Sequence, residues 1–325
     1  MKAKIIGTGS YLPERILTNQ DLEKMVETDD EWIVSRTGMK ERRIARPDEY
    51  TSDMGAAAAR AALDDAGITA DEIDFILVAT ITPDYLCPSS SCLIQTALGA
   101  KRAAAMDVQA ACTGYIYALA IAKSFVETGL CKNVLLIASE KLSSVVDYTD
   151  RSTCILFGDG ASACVVSSAE GKKGYAISSI CLASDGEQSS LITIPTGGCR
   201  TQAQQYVKMA GNEVFKHAVR RMESAGRDGL SLAQLNETDI SWLIPHQANI
   251  RIIDAMAKRF EHLPPERVFK TVHKYGNTSA SSVGIALDEL LKQEKIQHGE
   301  HILLTAFGGG LTWGAAILTS SGESI

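Results

Sequence analysis

The feature that most constrains this chain is that its second half repeats its first. The run Ile73-Asp-Phe-Ile-Leu-Val-Ala is matched by Ile240-Ser-Trp-Leu-Ile-Pro-His246, and Val134-Leu-Leu-Ile-Ala-Ser by Ile302-Leu-Leu-Thr-Ala-Phe. An alanine-rich segment led by Cys112 is matched by Asn277-Thr-Ser-Ala-Ser-Ser-Val-Gly-Ile-Ala-Leu-Asp-Glu-Leu. In chain order these pairs lie 167, 165 and 168 residues apart, an agreement that chance pairing of apolar runs does not readily give. Gly160-Ala-Ser-Ala-Cys-Val-Val-Ser-Ser resembles the stretch from Gly314 at a shorter spacing, because the loop after Ser139 is longer than the one after Phe307. A tandem duplication of one α/β unit follows, with halves 1–172 and 173–325 and a seam near Glu170–Gly174.

Within each half, strands and helices alternate. Ile73 to Thr80 and Asn133 to Ser139 are apolar runs typical of buried strands. Thr51 to Gly67 and Ser89 to Leu98 have helical spacing, and Thr18 caps a short helix. The expected class is therefore α/β, in layers. Gly7-x-Gly9 near the N-terminus lacks the third glycine of a dinucleotide fingerprint, and no helix follows it directly. Trp32 and Arg36 are four residues apart, which puts them on one helix face.

Several function classes drop out on composition. The net charge of −7 argues against a nucleic-acid binder. No run of about 18 apolar residues occurs, so no membrane span is expected, and no signal peptide is recognisable. The eight cysteines include no C-x-x-C pair and no zinc spacing with histidine, and several lie in apolar runs as buried thiols. That pattern fits a reducing, cytoplasmic compartment with no metal site.

Three residues stand where chemistry is expected. Cys112 joins a short extended run to a helix, where free backbone N–H groups and the helix dipole favour the thiolate. Asn277 holds the corresponding place in the second half. His246 ends a strand, and in open α/β sheets ligands gather at the carboxyl ends of strands. Related by a pseudo-twofold, a nucleophile, a base and an amide converge on one face. Gly308-Gly309-Gly310 after a buried strand points to a close backbone approach.

Longer motifs carry a family resemblance across essentially the whole chain. They are Gly7-Thr-Gly-Ser-Tyr-Leu-Pro, Arg36-Thr-Gly-Met-Lys-Glu-Arg-Arg-Ile44, Asp107-Val-Gln-Ala-Ala-Cys112 and Phe157-Gly-Asp-Gly160. Met209-Ala-Gly-Asn-Glu-Val-Phe215, Pro245-His-Gln-Ala-Asn249, Tyr275-Gly-Asn-Thr-Ser-Ala280 and Ala306-Phe-Gly-Gly-Gly-Leu-Thr-Trp-Gly314 complete the set. The chain resembles the β-ketoacyl-acyl-carrier-protein synthases III, initiating condensing enzymes of bacterial fatty-acid synthesis in the thiolase superfamily. The resemblance implies a thiolase-like five-layer αβαβα sandwich and a decarboxylative condensation of an acyl-CoA primer with malonyl-acyl carrier protein. It implies no cofactor, no metal and a homodimer.

Residue by residue, the resemblance makes Cys112 the acyl-carrying nucleophile, with His246 and Asn277 holding the enolate oxygen. The backbone N–H groups of Cys112 and Gly309 would hold the tetrahedral oxyanion. Asn277 marks the subclass, since elongating synthases have a second histidine in this role and thiolases a second cysteine. Trp32 and Arg151 would sandwich the CoA adenine, and Arg36 and Thr37 would lie in the CoA path. Gly211, Phe215 and Asn249 would line the pantetheine tunnel. Lys216, Arg251, Lys258 and Arg259 would dock the acidic carrier protein. Cys87 stands where the acetyl-preferring type has phenylalanine reaching across the dimer to the floor of the primer pocket, which implies a deeper pocket. A specialised enzyme of polyketide or signal-molecule synthesis, or a non-catalytic condensing-enzyme homologue, is the alternative.

Overall fold

The computed structural model describes residues 2–169, 174–200 and 205–321. The first half comprises β1 (Lys4–Tyr11), β2 (Arg15–Thr18), α1 (Asn19–Glu23), α2 (Asp30–Thr37), β3 (Glu41–Ile44), α3 (Thr51–Ala66) and β4 (Phe75–Ala79). It continues with α4 (Ser90–Leu98), β5 (Ala104–Val108), α5 (Gly114–Glu127), β6 (Asn133–Glu140), α6 (Arg151–Cys154) and β7 (Gly160–Ser167). The second half begins with β8 (Gly174–Ser184), β9 (Ile192–Thr193), β10 (Lys208–Met209), α7 (Gly211–Ala233) and β11 (Ile240–Pro245). It ends with α8 (Ile250–Ala257), α9 (Val272–Tyr275), α10 (Ser281–Leu291), β12 (His301–Gly308) and β13 (Thr312–Ser321). The expected seam at residues 170–173 lies outside the described residues.

The repeat is visible in the strand order. In the first half β5, β4, β6, β7 and β1 lie side by side, and in the second β11, β12, β13 and β8. The senses also agree: β4–β6 and β11–β12 are parallel, while β6–β7, β7–β1, β12–β13 and β13–β8 are antiparallel. The counterpart of β5 is reduced to a parallel bridge between Val268 and Leu243. The halves join where Lys4 and Ile5 of β1 pair with Ala176 and Tyr175 of β8.

Three apolar clusters separate the layers. One lies between the first sheet and α3, and includes Met54, Ala59, Leu63, Ile76 and Val165. A second fills the space between the two sheets around α5 and α10, through Ile116, Leu119, Val283 and Leu287. The third joins the second sheet to α7 and α8, through Met222, Ile253, Leu303 and Ile317. This gives the α–β–α–β–α layering. Burying both faces of each sheet explains why β4, β6 and β12 read as continuous apolar runs rather than alternating ones.

Gly7 and Gly9 find their use here. A Cβ on Gly7 would lie 2.4 Å from the Ala66 nitrogen, and one on Gly9 would lie 2.5 Å from the Ala58 carbonyl. The glycines let β1 press directly on the alanine-rich face of α3, so they serve packing and not phosphate binding. Among the described residues no helix is long and apolar enough to cross a membrane.

Candidate active site

Cys112 sits in a short 3-10 turn, Ala111–Thr113, that leads directly into α5. The preceding residue, Ala111, has φ 46°, a left-handed conformation that costs a non-glycine residue about 1 kcal/mol or more. The turn is held from the other half. Thr113 Oγ1 donates to the Thr312 carbonyl (3.1 Å) and Thr312 Oγ1 to the Ala110 carbonyl (3.0 Å). Gly308 closes the contact: a Cβ there would stand 2.6 Å from the Cys112 nitrogen. The close backbone approach expected of the three glycines is therefore made by Gly308 against Cys112. Gly309 follows, lining an apolar cavity with Cys112.

His246 follows the last residue of β11, and its N–H donates to the Thr305 carbonyl (2.7 Å). Its Nδ1 lies 2.7 Å from Ser282 Oγ. That oxygen also accepts the Gln247 N–H (3.3 Å), and its own proton can be donated to Nδ1. The ring proton then resides on Nε2. Buried Gln247 braces the loop, donating to the Pro245 carbonyl (2.6 Å) and accepting from the Thr271 N–H (2.7 Å). Burial pushes His246 down to about 4, so the imidazole is neutral near pH 7.

Asn277 corrects one sequence expectation. It does not lead its helix as Cys112 leads α5, because α10 starts four residues later at Ser281. The residue whose backbone matches Ala111 is Ser279, with φ 51°, at a spacing of 168. Asn277 instead forms a parallel bridge with Phe157 of the first half. Its N–H donates to the Leu156 carbonyl (2.8 Å), and its carbonyl accepts from Gly158 N–H (3.0 Å). This crossing explains both glycine motifs: a Cβ on Gly158 would meet the Tyr275 carbonyl at 2.3 Å, and one on Gly276 the Leu156 carbonyl at 2.8 Å. Asn277 Oδ1 accepts from the Ser279 N–H (2.8 Å), which fixes the amide and leaves Nδ2 for the cleft.

Cys112, His246 and Asn277 line one cleft of about 770 Å³. Its walls also hold Trp32, Arg36, Thr37, Gly211, Phe215 and Asn249. Arg151, outside the walls, stacks on the Trp32 ring at 3.9 Å from its centroid, and Arg36 approaches the same ring at 5.7 Å. Asn249 also caps α8, its Oδ1 accepting from Arg251 N–H (2.8 Å). Lys216 and Arg251 stand at the cleft wall, whereas Lys258 and Arg259 lie past the far end of α8. Lys216 is paired with Glu213 (2.8 Å) and Arg259 with Glu223 (3.5 Å). Cys87 lies exposed in the 83–88 loop, away from this chain's cleft.

Burial opposes the helix's preference for a thiolate. It pushes the Cys112 thiol up to about 11, outweighing the lowering by the Ser279 hydroxyl beside it. Cys112 therefore rests as a thiol near pH 7. Behind it a small cavity of about 40 Å³ is walled by apolar side chains, among them Leu142, Val145, Val146 and Val207. Ser279, Ser282, Gln247 and Glu140 were not singled out from sequence. The three C-terminal ones are polar residues among many, and only the fold shows which are bonded to the site. Glu140 did leave a signal, as a carboxylate closing the buried run Val134-Leu-Leu-Ile-Ala-Ser-Glu140.

No group of three or more potential metal ligands occurs among the described residues. Two family models match, 3-oxoacyl-[acyl-carrier-protein] synthase III over residues 106–186 and its C-terminal domain over residues 230–320. The β-ketoacyl-[acyl-carrier-protein] synthase III of Chlamydia pneumoniae is 56% identical, covering 98% of this chain and 96% of its own. The crystal structure of the Aquifex aeolicus 3-oxoacyl-[acyl-carrier-protein] synthase III superposes with a TM-score of 0.91 at 50% identity, covering 98% of this chain and 99% of its own. That of the Thermus thermophilus enzyme gives 0.92 at 43%, covering 98% and 100%. With its motifs, duplicated fold and cleft in agreement, the chain belongs to the 3-oxoacyl-[acyl-carrier-protein] synthase III family.

Proposed function

We propose that the β-ketoacyl-acyl-carrier-protein synthase III reaction of this family runs here through Cys112, His246 and Asn277. The reaction joins a primer acyl group to malonyl-acyl carrier protein with loss of CO2, giving a 3-ketoacyl product. In the first half, Cys112 Sγ attacks the primer thioester carbonyl and the CoA thiol leaves. The apolar cavity behind Cys112 fits the acyl chain. In the second half, decarboxylation of the malonyl thioester places negative charge on its thioester oxygen. A neutral His246 presenting Nε2–H and the Asn277 Nδ2–H group stabilise that charge. The enolate carbon then attacks the acyl-Cys112 carbonyl. Its oxyanion is held by the Cys112 and Gly309 backbone N–H groups, and collapse returns the thiol.

The single observation that carries this reading is that Cys112, His246 and Asn277, drawn from both halves, line one cleft. Acyl-CoA as primer donor is supported by the Trp32–Arg151 stack, a flat surface beside a cation at the side of that cleft. Lys216 and Arg251, exposed beside the same opening, support carrier-protein docking there, with Lys258 and Arg259 farther along α8. A homodimer is supported by the 83–88 loop, where Tyr85 is 61% and Leu86 84% exposed beside a second cleft of about 700 Å³. That cleft shares Ile81, Ile192 and Ile194 with the small cavity, so a partner's Cys87 entering it would form part of the primer pocket. Primers longer or more branched than acetyl are then accepted. The test is incubation with malonyl-acyl carrier protein and a graded acyl-CoA series, with mass spectrometry of the 3-ketoacyl product. No condensation with any primer overturns the reading, and a steep fall beyond acetyl overturns the deeper pocket.

A further inference from the structure

Glu140 is a fully buried carboxyl at the end of β6. One oxygen satisfies the neighbouring loop: Oε2 accepts from Ile81 N–H (3.0 Å), Thr82 Oγ1 (2.8 Å) and Thr80 Oγ1 (3.2 Å). Its other oxygen, Oε1, has no hydrogen-bond partner. A structural carboxylate that only pinned the loop would not need to bury a second, unsatisfied oxygen, which is costly. A third hydroxyl, Ser279 Oγ, is likewise buried without a well-aligned partner, and it stands against both the Glu140 carboxyl and the Cys112 thiol. Ser279 also reaches this place through a left-handed backbone, φ 51°, fixed by the bond from its N–H to Asn277. A strained residue carrying an unpaired hydroxyl between an unpaired carboxylate oxygen and a nucleophile is an arrangement with a use.

We propose that Glu140 takes the Cys112 proton through the Ser279 hydroxyl during acyl transfer from the primer. This rests on Cys112 being the acyl-carrying nucleophile. As Sγ bonds to the thioester carbon, its proton passes to Ser279 Oγ and the hydroxyl proton passes to Glu140 Oε1. When the carbon–sulfur bond to the leaving thiol breaks, the same hydroxyl gives a proton to the departing sulfur and takes back the one held by Glu140. Glu140 ends ionised, as it began, and the sum is one thioester exchanged for another.

The basicities favour this acceptor over the histidine. Burial raises Glu140 to about 7, against the hydrogen bonds it accepts, whereas burial lowers His246 to about 4. Against a thiol pushed up to about 11, the carboxylate is the stronger base of the two. Other titratable groups near Glu140 are engaged elsewhere. Lys141 turns to the carbonyls of Arg46, Pro47 and Glu49, and Asp159, beside the start of β7, accepts from Ala45 and Ser143. The Cys112 thiol is the titratable group that faces it. His246 is then free to serve the enolate.

The experiment is single-turnover acylation of Cys112 by acyl-CoA, followed by intact mass from pH 5.5 to 9, on the full chain, Glu140→Gln and Ser279→Ala. In the unsubstituted protein the rate should rise through a limb near neutral pH. Each variant should acylate about 10²-fold more slowly with primer affinity unchanged. The limb should move toward the thiol's own range, and the double variant should be no slower than either single one. Glu140→Asp should restore part of the rate. Ser279→Ala removes an unpartnered hydroxyl and so tests the route even where Glu140→Gln weakens folding. Acylation within about twofold of the unsubstituted rate, with the limb in place, in folded Ser279→Ala overturns the proposal. No acyl mass on Cys112 in the unsubstituted protein would instead overturn the nucleophile assignment beneath it.

Discussion

The turns that lead into α5 and α10 descend from one repeated unit, yet they do different work. Both carry a non-glycine residue in the left-handed region, Ala111 at φ 46° and Ser279 at 51°, 168 residues apart. In the first half the next residue is Cys112, and the backbone of Gly308 is pressed onto it. In the second, the corresponding residue is a buried alanine, Ala280, and the residues given a role in the proposed mechanism lie upstream, at Ser279 and Asn277. The duplication kept the backbone and the layers and divided the reactive groups between copies. On the proposed mechanism the first half supplies the attacking sulfur and the buried Glu140 carboxyl, and the second supplies the Ser279 hydroxyl and the groups that face the enolate.

That division predicts which half-reaction each substitution breaks. The largest effect belongs to Cys112→Ala, which should abolish acylation and condensation alike, by about 10⁴-fold or more. Intact mass and product formation would read both, and condensation surviving at full rate would end the comparison. Next, His246→Ala and Asn277→Ala should each lower condensation about 10²–10³-fold, the usual cost of one oxyanion donor. Each should leave the acyl-Cys112 mass forming within a few-fold of normal. Equal loss of both steps would mean that His246 and Asn277 also act in the acylation of Cys112.

Gly308→Ala should come below these, because its Cβ would sit 2.6 Å from the Cys112 nitrogen and must push one backbone off the other. Overpacking of this kind costs about 1–3 kcal/mol, measurable by denaturant unfolding, and should slow acylation more than it weakens primer binding. A pH effect on stability follows from His246. Its unfolded form takes up a proton near pH 6.5, whereas the folded form refuses it until about 4. The folded state therefore loses stability as pH falls from about 6.5 toward 4, and above that window the contribution is constant. His246→Phe should flatten this slope in unfolding measured at several pH values. The smallest effect should separate the two turns most cleanly. Ala111→Gly and Ser279→Gly both relieve left-handed strain and should change stability by no more than about 1 kcal/mol. Only Ser279→Gly should impair acylation, since only it removes a hydroxyl.

Much of this was legible before the fold. Cys112, His246 and Gly308–Gly310 stand at the ends of apolar runs, and the spacing of the runs located them. The alignment of Asn277 with Cys112 failed by three residues because helix periodicity does not mark where a lead-in turn ends. Glu140, Ser282 and Gln247 gave weak signals, since a polar side chain shows its partner only in three dimensions.

By itself the sequence determined the duplication and the layered α/β class, which follow from the order and spacing of apolar and polar positions, and it marked Cys112, His246 and Asn277 as candidates. Only the tertiary structure decided what state those residues are in. Burial turns the expected thiolate into a thiol and the histidine into a neutral donor. The crossing with residues 156–158 sets the Asn277 backbone, and the Ser279 N–H sets its side-chain amide. Such properties depend on what surrounds a group from distant parts of the chain, and desolvation and hydrogen bonding act through space.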